Sequence, residues 1–369
     1  MGVSFPGRRY LIAGFTIFAS ITLLPAYGQS QDGHIEARFL LIPPDARGRA
    51  LGEGGSVFSK GAISAYYNPA LLVTSELFSG EFNYSDYAPD FVDGMSTKNI
   101  FISNNIDDMV FCALGYTRFD FSNGLDIPEY ESESYDYSLG IWAAVSFDPH
   151  NSLGAGIKYI KRYHQSSYMG SDYVSSREGS SYAFDFGLLS RNHLPVTTLY
   201  NDTIYYPVLH KLFKVERDRG FSFGISLANV GKAMTFFEKD RADPIPRNFR
   251  FAAGYQAIDT EPVGLRLTLD ATKLLIDVDD SFKEEWNEIV WSYGLEATFY
   301  YILHFRLGRL FDRDSYQRFN TVGFGIGPEW LSLDYSTILG DTDDWRWNRR
   351  AEEYSISIRC NISPNDLNL

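Results

Sequence analysis

Tyr135-Asp136-Tyr137-Ser138-Leu139-Gly140-Ile141-Trp142-Ala143-Ala144-Val145-Ser146-Phe147 is the stretch whose reading decides the fold. Its odd-numbered residues are all apolar, and its even-numbered residues, apart from Trp142, are small or polar. A two-residue period sends alternate side chains to opposite faces of an extended chain, so this is a strand with one apolar and one polar face.

The same alternation recurs about fourteen times between residues 77 and 362. Leu265, Leu267 and Leu269 alternate with Arg266, Thr268 and Asp270; Tyr293, Leu295 and Ala297 alternate with Ser292, Glu296 and Thr298. Several runs reach the roughly 10 residues that a tilted membrane strand needs, beyond the usual five or six of a globular sheet. Short connections (148–151, 259–261) interleave with long polar ones (122–134, 165–179, 276–289, 338–350). That asymmetry is the one between periplasmic turns and extracellular loops. The expected fold is an all-β transmembrane antiparallel barrel of about fourteen strands. A soluble sandwich shares the alternation but not the even strand count, the strand length or the loop asymmetry.

The start of the chain agrees. Arg8 and Arg9 precede an apolar stretch over 10–24, too short to span a bilayer, and Ala26-Tyr27-Gly28 places small residues at a cleavage site. Residues 1–28 are therefore expected to be a signal peptide, and the location a bacterial outer membrane. No later stretch approaches the roughly 18 apolar residues of a membrane helix. Aromatic residues make up 16% of the chain, as the interfacial girdles of a membrane barrel require. The net charge of −14, more negative once Arg8 and Arg9 are removed, excludes a nucleic-acid partner, which needs clustered Lys and Arg. Cys112 and Cys360 both fall in strand-like runs and read as small apolar residues.

Two segments break the rhythm. Residues 193–218 are too long for a periplasmic turn; Tyr205-Tyr206-Pro207 and a possible short helix over 209–215 suggest either a docking element or an ordered insertion. Residues 39–72 do not alternate at all. Gly52, Gly54 and Gly55 permit close backbone approach or positive φ, and Asn68-Pro69 caps a helical turn with Pro69 at its first position. A compact segment of this kind suits a plug within the barrel mouth. The expected organisation is a signal peptide (1–28), a plug (29–75) and a barrel (76–369) carrying the 193–218 insertion.

Motifs for chemistry are weak. The six histidines, including His304, show no metal-ligand spacing, and no nucleophile motif accompanies them. The 52–55 glycines lack the Lys-Ser/Thr of a phosphate loop, and Gly323, Gly325 and Gly327 sit in a strand. Asp277, Asp279, Ser281 and Glu288 occupy calcium-loop positions, but Phe282 stands where the sharp turn demands Gly. A solvated acidic loop is the better reading; a loose calcium site is the alternative. Neither an enzyme nor a cofactor is expected.

Phe39, Leu40, Ile42, Ala46-Arg47, Gly52, Gly54-Gly55, Ser64-Ala65, Tyr67 and Asn68-Pro69-Ala70 resemble the N-terminal signature of the PorV/PorQ family of outer-membrane proteins, itself similar to the FadL-type fourteen-stranded barrels. Weaker blocks at 226–231, 244–255, 294–308, 321–327 and 333–335 extend the resemblance along most of the chain. It implies service to the type IX secretion system, in which a PorV-like protein receives cargo and passes it to the surface attachment machinery. Ala46, Arg47, Gly52, Gly54, Gly55, Asn68, Pro69 and Ala70 would then be the plug motif. Tyr168, Tyr173, Trp286, Trp345 and Trp347 are candidate partner contacts, since aromatics dominate interface hot spots; girdle or loop packing is the alternative for each. The competing function is FadL-like uptake of a hydrophobic small molecule through the plugged lumen. Arg266, Asp270 and Glu296 would then meet solute, or be paired within the lumen.

Overall fold

The computed structural model describes residues 35–362, apart from 88–93, 108, 122–129, 169–173, 194–202, 207–210, 215–219, 237–241, 261, 277–281, 314–317, 329 and 340–352. The expected signal peptide, residues 1–28, lies outside the described residues.

Among the described residues sixteen strands follow in order: β1 (Phe78–Asp86), β2 (Ser96–Asn105), β3 (Val110–Phe121), β4 (Tyr130–Ser146), β5 (Asn151–Tyr168), β6 (Val174–His193), β7 (Thr203–Tyr206), β8 (Lys211–Lys214), β9 (Gly220–Gly231), β10 (Asn248–Asp259), β11 (Val263–Leu274), β12 (Val290–Phe299), β13 (Leu303–Phe311), β14 (Arg318–Ile326), β15 (Leu331–Leu339) and β16 (Tyr354–Ile362). Fourteen close into one antiparallel barrel, with β1 pairing β16 from Phe78 opposite Ile362 to Ser85 opposite Ser355. Closure removes every open edge, the condition for a sheet in lipid.

Alternation becomes two surfaces. Each barrel strand exposes a large apolar or aromatic side chain outward, from Phe82 on β1 through Leu139 and Ile141 on β4 to Ile358 on β16. The lumen-facing residues are instead buried and often polar, as in Ser79, Glu81, Asn83 and Ser85 on β1. This inside-out arrangement is stable only where lipid covers the outer face, and it makes the chain an outer-membrane barrel. Among the described residues no helix is long and apolar enough to cross a membrane. Tyrosines adjoin on the outer wall of β4, β5 and β6: ring centroids lie 5.1 Å apart for Tyr135 and Tyr163, and 5.2 Å for Tyr159 and Tyr182.

Trp142, the exception in the opening stretch, turns inward. It is buried, and its Nε1 donates to Asp185 Oδ2 at 2.8 Å. Gly140 and Gly156 make room for the indole: a Cβ on Gly156 would stand 2.0 Å from the ring.

Two expectations need correction. The expected loop at 165–179 is mostly strand, because β5 runs to Tyr168 and β6 starts at Val174; β4 likewise begins at Tyr130 within the expected 122–134 loop. These three strands hold 17, 18 and 20 residues. Where they outrun the bilayer both faces meet water, so the alternation that marks a strand fades. The possible helix over 209–215 is also replaced. Lys211–Lys214 is strand β8 and pairs with β7 as a separate two-stranded sheet within the 193–218 insertion. This hairpin sits at the same end of the barrel as the short turns 147–150 and 300–302.

Candidate functional site: the plug and the lumen

Residues 38–74 fold inside the barrel as short pieces: a 3-10 turn (Arg38–Leu41), helix α1 (Ala46–Ala50), a 3-10 turn (Ser56–Phe58), helix α2 (Ser64–Tyr67) and a 3-10 turn (Pro69–Thr74). Local chemistry sets their starts. Asp45 caps α1, accepting from Gly48 N at 3.1 Å, and Tyr67 Oη donates to the other Asp45 carboxylate oxygen at 2.5 Å. Asn68 caps the last turn, accepting from Ala70 N at 3.0 Å with Pro69 at the first position.

Each piece then binds its own sector of wall. Helix α1 faces β13 to β16, the turn at Ser56–Phe58 faces β9 to β11, and the turn at Pro69–Thr74 faces β3 to β6. Arg47 donates from Nη2 to Glu296 Oε2 at 2.8 Å and from Nε to Oε1 at 3.2 Å. Arg306 donates to the same Oε1 at 2.7 Å and reaches Asp334 at 2.5 Å, and Arg266 stands 3.6 Å from Glu296 Oε2. Three guanidinium groups thus converge on one carboxylate. Arg49 pairs with Glu353 at 3.1 Å.

The glycines serve close approach. Gly52 has φ of 71°, and a Cβ there would meet the Arg309 backbone at 2.6 Å; its N–H donates to Thr321 Oγ1 at 3.0 Å. Gly55 N and Ser56 Oγ both donate to Asp270. Gly54 also lies against Asp270, close to Ser292. Asn68 Nδ2 donates to Leu188 O at 2.9 Å and Ile225 O at 3.2 Å, while Ser152 Oγ donates to Ala70 O at 2.9 Å. The structure therefore gathers Ala46, Arg47, Gly52, Gly54, Gly55, Asn68, Pro69 and Ala70 at the plug–wall contact. Arg266, Asp270 and Glu296 are paired there.

The aromatic candidates are not brought together. Tyr173, Trp345 and Trp347 lie outside the described residues, and Tyr168 ends β5. Trp286, in helix α3 (Phe282–Asn287), is exposed and lies 5.8 Å from the Trp291 ring. Asp277, Asp279 and Ser281 also fall outside; Glu288 pairs with Lys273, and no metal-binding cluster occurs among the described residues.

Among the described residues, two cavities lie towards opposite ends of the barrel. One of about 60 Å³ at the short-turn end is lined by charged and polar groups, among them Arg47, Glu296, His304, Arg306 and Arg359. The other, of about 420 Å³, opens at the long-loop end between β3 to β6 and Phe236. There the Arg162 guanidinium lies 4.8 Å from the Phe236 ring centre and 5.4 Å from that of Phe121. Arg162 pairs with Asp136 and with Glu36, just before the plug's first turn. Phe39 and Leu40 pack below, against Phe119, Ile160 and Ala183. Sequence reasoning missed Glu36, Arg162 and Phe236. Alternation places Arg162 on the lumen face of β5, but its partners are distant in sequence.

Against known proteins, the sequence matches no family profile and no curated protein. Among solved structures it is similar to the toluene transporter TbuX of Ralstonia pickettii (TM-score 0.50, 12% identity, covering 88% of this chain and 100% of that one). It is also similar to a FadL homologue of Pseudomonas aeruginosa (0.50, 12%, 87% and 99%) and to CymD, a monoaromatic hydrocarbon channel (0.52, 12%, 88% and 98%). Likeness at this identity shows the fold alone, a closed fourteen-stranded antiparallel barrel.

Proposed function

We propose that the protein admits hydrophobic small molecules across the outer membrane, taking them up in the cavity at the long-loop end. The observation that carries this reading is that cavity: about 420 Å³, within the range of small-molecule sites, where Phe121, Phe236 and Tyr163 stand among the polar side chains of Ser134, Arg162, His164, Ser175 and Arg177. Glu36 and Arg162 join the chain just before the plug's first turn to that wall. The overall likeness to hydrocarbon transporters supports the same reading by analogy of fold.

The test is uptake of radiolabelled toluene by cells lacking the chromosomal gene, with and without the gene restored. Restoration is expected to raise the initial rate, and Phe121→Ala with Phe236→Ala to lower it. Equal rates with and without the protein overturn the reading.

One observation favours a second reading, handling of type IX secretion cargo. Strands β4 to β6 are 17 to 20 residues long, whereas about 9–11 residues span a bilayer. They raise a β-wall above the long-loop rim on which an emerging protein has backbone and tyrosine surface to contact. Deletion of the gene is then expected to leave cargo unanchored; normal surface display of cargo would count against it.

A further inference from the structure

Fifteen buried side-chain nitrogen or oxygen atoms lack a hydrogen-bond partner among the described residues, and seven of them lie on just two strands, β1 and β2. They belong to Glu81, Asn83, Thr97, Asn99, Ser103 and Asn105, all on or beside the lumen face. Strand register stacks them. Asn83 stands opposite Asn99, and Ser85 opposite Thr97. On the other side Glu81 stands opposite Arg359, and Asn83 opposite Ser357. The result is a polar ladder across β16, β1 and β2.

A second observation concerns the plug. Its helical pieces pack on β13 to β16, on β9 to β11 and on β3 to β6; none packs comparably on β1 or β2. This sector meets the plug through Phe101 of β2, buried in the same apolar cluster as Ala62, Ile63 and Leu72, and through hydrogen bonds from Asn99 Nδ2 to Pro44 O and from Ala62 N to Ser79 Oγ, each at 3.1 Å. A buried polar atom without a partner costs free energy that water would restore. The β1–β2 wall holds the most such atoms, so water admitted there satisfies the most polar groups, at the cost of uncovering Phe101. The polar cavity at the short-turn end, with Gly61 and Arg359 in its lining, adjoins the foot of the same ladder.

We propose that the plug parts from β1 and β2 while its other sectors hold, opening a second path that carries water and small uncharged hydrophilic solutes. Around Phe101 the wall so uncovered bears Ser79, Glu81, Asn83, Thr97, Asn99 and Ser103, which suit a hydrated solute. The path is separate from the aromatic cavity at the long-loop end, and it does not depend on the hydrophobic uptake proposed above.

The test reconstitutes the full-length protein in liposomes and follows swelling with arabinose, alongside toluene uptake as a separate readout. Ala62 N donates to Ser79 Oγ at 3.1 Å, so Ala62→Cys with Ser79→Cys, in a background with Cys112 and Cys360 changed to Ser, ties the plug to β1. A second variant, Asn83→Leu with Asn99→Leu, replaces facing amides by apolar groups and tightens the contact without a crosslink. Arabinose permeability is expected to be lost on oxidation of the cysteine pair and regained on reduction, and to be reduced in the leucine variant. Swelling of wild-type liposomes no faster than that of protein-free liposomes overturns the proposal. So does permeability that neither variant changes.

Discussion

Arg47 in the plug and Glu296 on β12 form a buried ion pair, with Nη2 2.8 Å from Oε2, across 249 residues of sequence. Glu296 also receives Arg306, so one carboxylate fastens the plug to the wall while neutralising charge that the lumen would otherwise hold unpaired. Glu296→Gln leaves two buried guanidinium groups short of a partner, and breaking a buried pair in this way costs roughly 3–5 kcal/mol. The expected outcome is a plug cleaved by added protease in detergent while the barrel keeps its folded gel mobility. A plug as resistant as wild type would show that the pair does not hold it.

The barrel was legible in the sequence and the lumen network was not, for a physical reason. Tyr135 to Phe147 declares its strand because lipid on one side and lumen on the other impose a two-residue period. Asn68-Pro69 declares its cap because the contacts are local. The Arg162–Glu36 and Arg47–Glu296 pairs join residues 126 and 249 positions apart, and alternation says which face a charge occupies but not which partner it meets. The hairpin of β7 and β8 was missed because its strands hold four residues each, too short for a period to separate strand from helix.

Trp142 offers a test of packing inside the barrel. Gly156→Ala places a methyl group 2.0 Å from the indole, a distance that forces the ring or the strand to move. Overpacking of this kind costs about 1–3 kcal/mol. Lower thermal stability of the folded form is expected, with a red-shifted Trp142 emission from the loss of its buried position. Trp142→Phe should lose the Asp185 hydrogen bond yet tolerate the methyl group, so the double variant is expected to be less destabilised than the two single changes add up to.

The lipid-facing surface makes a paired prediction. Leu139 points outward from β4 and Ser138, its neighbour, is buried in the lumen. Leu139→Arg sets a charge against hydrocarbon, at about 2–4 kcal/mol near the bilayer midplane. Leu139→Ala removes only apolar contact. Folding titrations in urea with lipid vesicles should show a much larger loss for the arginine variant. Equal losses would place Leu139 away from lipid.

Asp148, in the turn between β4 and β5, gives a pH dependence outside the membrane. Burial alone would raise its pKa. The Asn151 side chain and the backbone N–H groups of His150 and Asn151 outweigh that and hold it below its ordinary value of 3.8. A carboxyl lowered on folding contributes stability that is fully present above the unfolded pKa and lost as pH falls through the folded one. Comparing wild type with Asp148→Ala, the stability difference is expected to be constant from neutral pH down to about pH 5, within reach of the aspartate pKa, and to shrink steadily below it. A difference that stays constant well below pH 3.8 would mean that the turn's hydrogen bonds do not depend on the charge.

Orientation follows from which end carries the turns. β2 and β3, β4 and β5, and β12 and β13 join through short connections at one end of the barrel, where β6 also ends and β9 begins; β5 ends and β6 begins, and β15 ends and β16 begins, at the other. Short turns belong to the periplasmic side and longer loops to the cell surface. With Cys112 and Cys360 first replaced by serine, single cysteines introduced at positions 171 and 345 are expected to react with an impermeant maleimide on intact cells. One introduced at position 149 should react only after the outer membrane is permeabilised. The reverse pattern would invert the barrel, put the cavity near Arg162 on the periplasmic side and remove it as the first station for a solute arriving from outside.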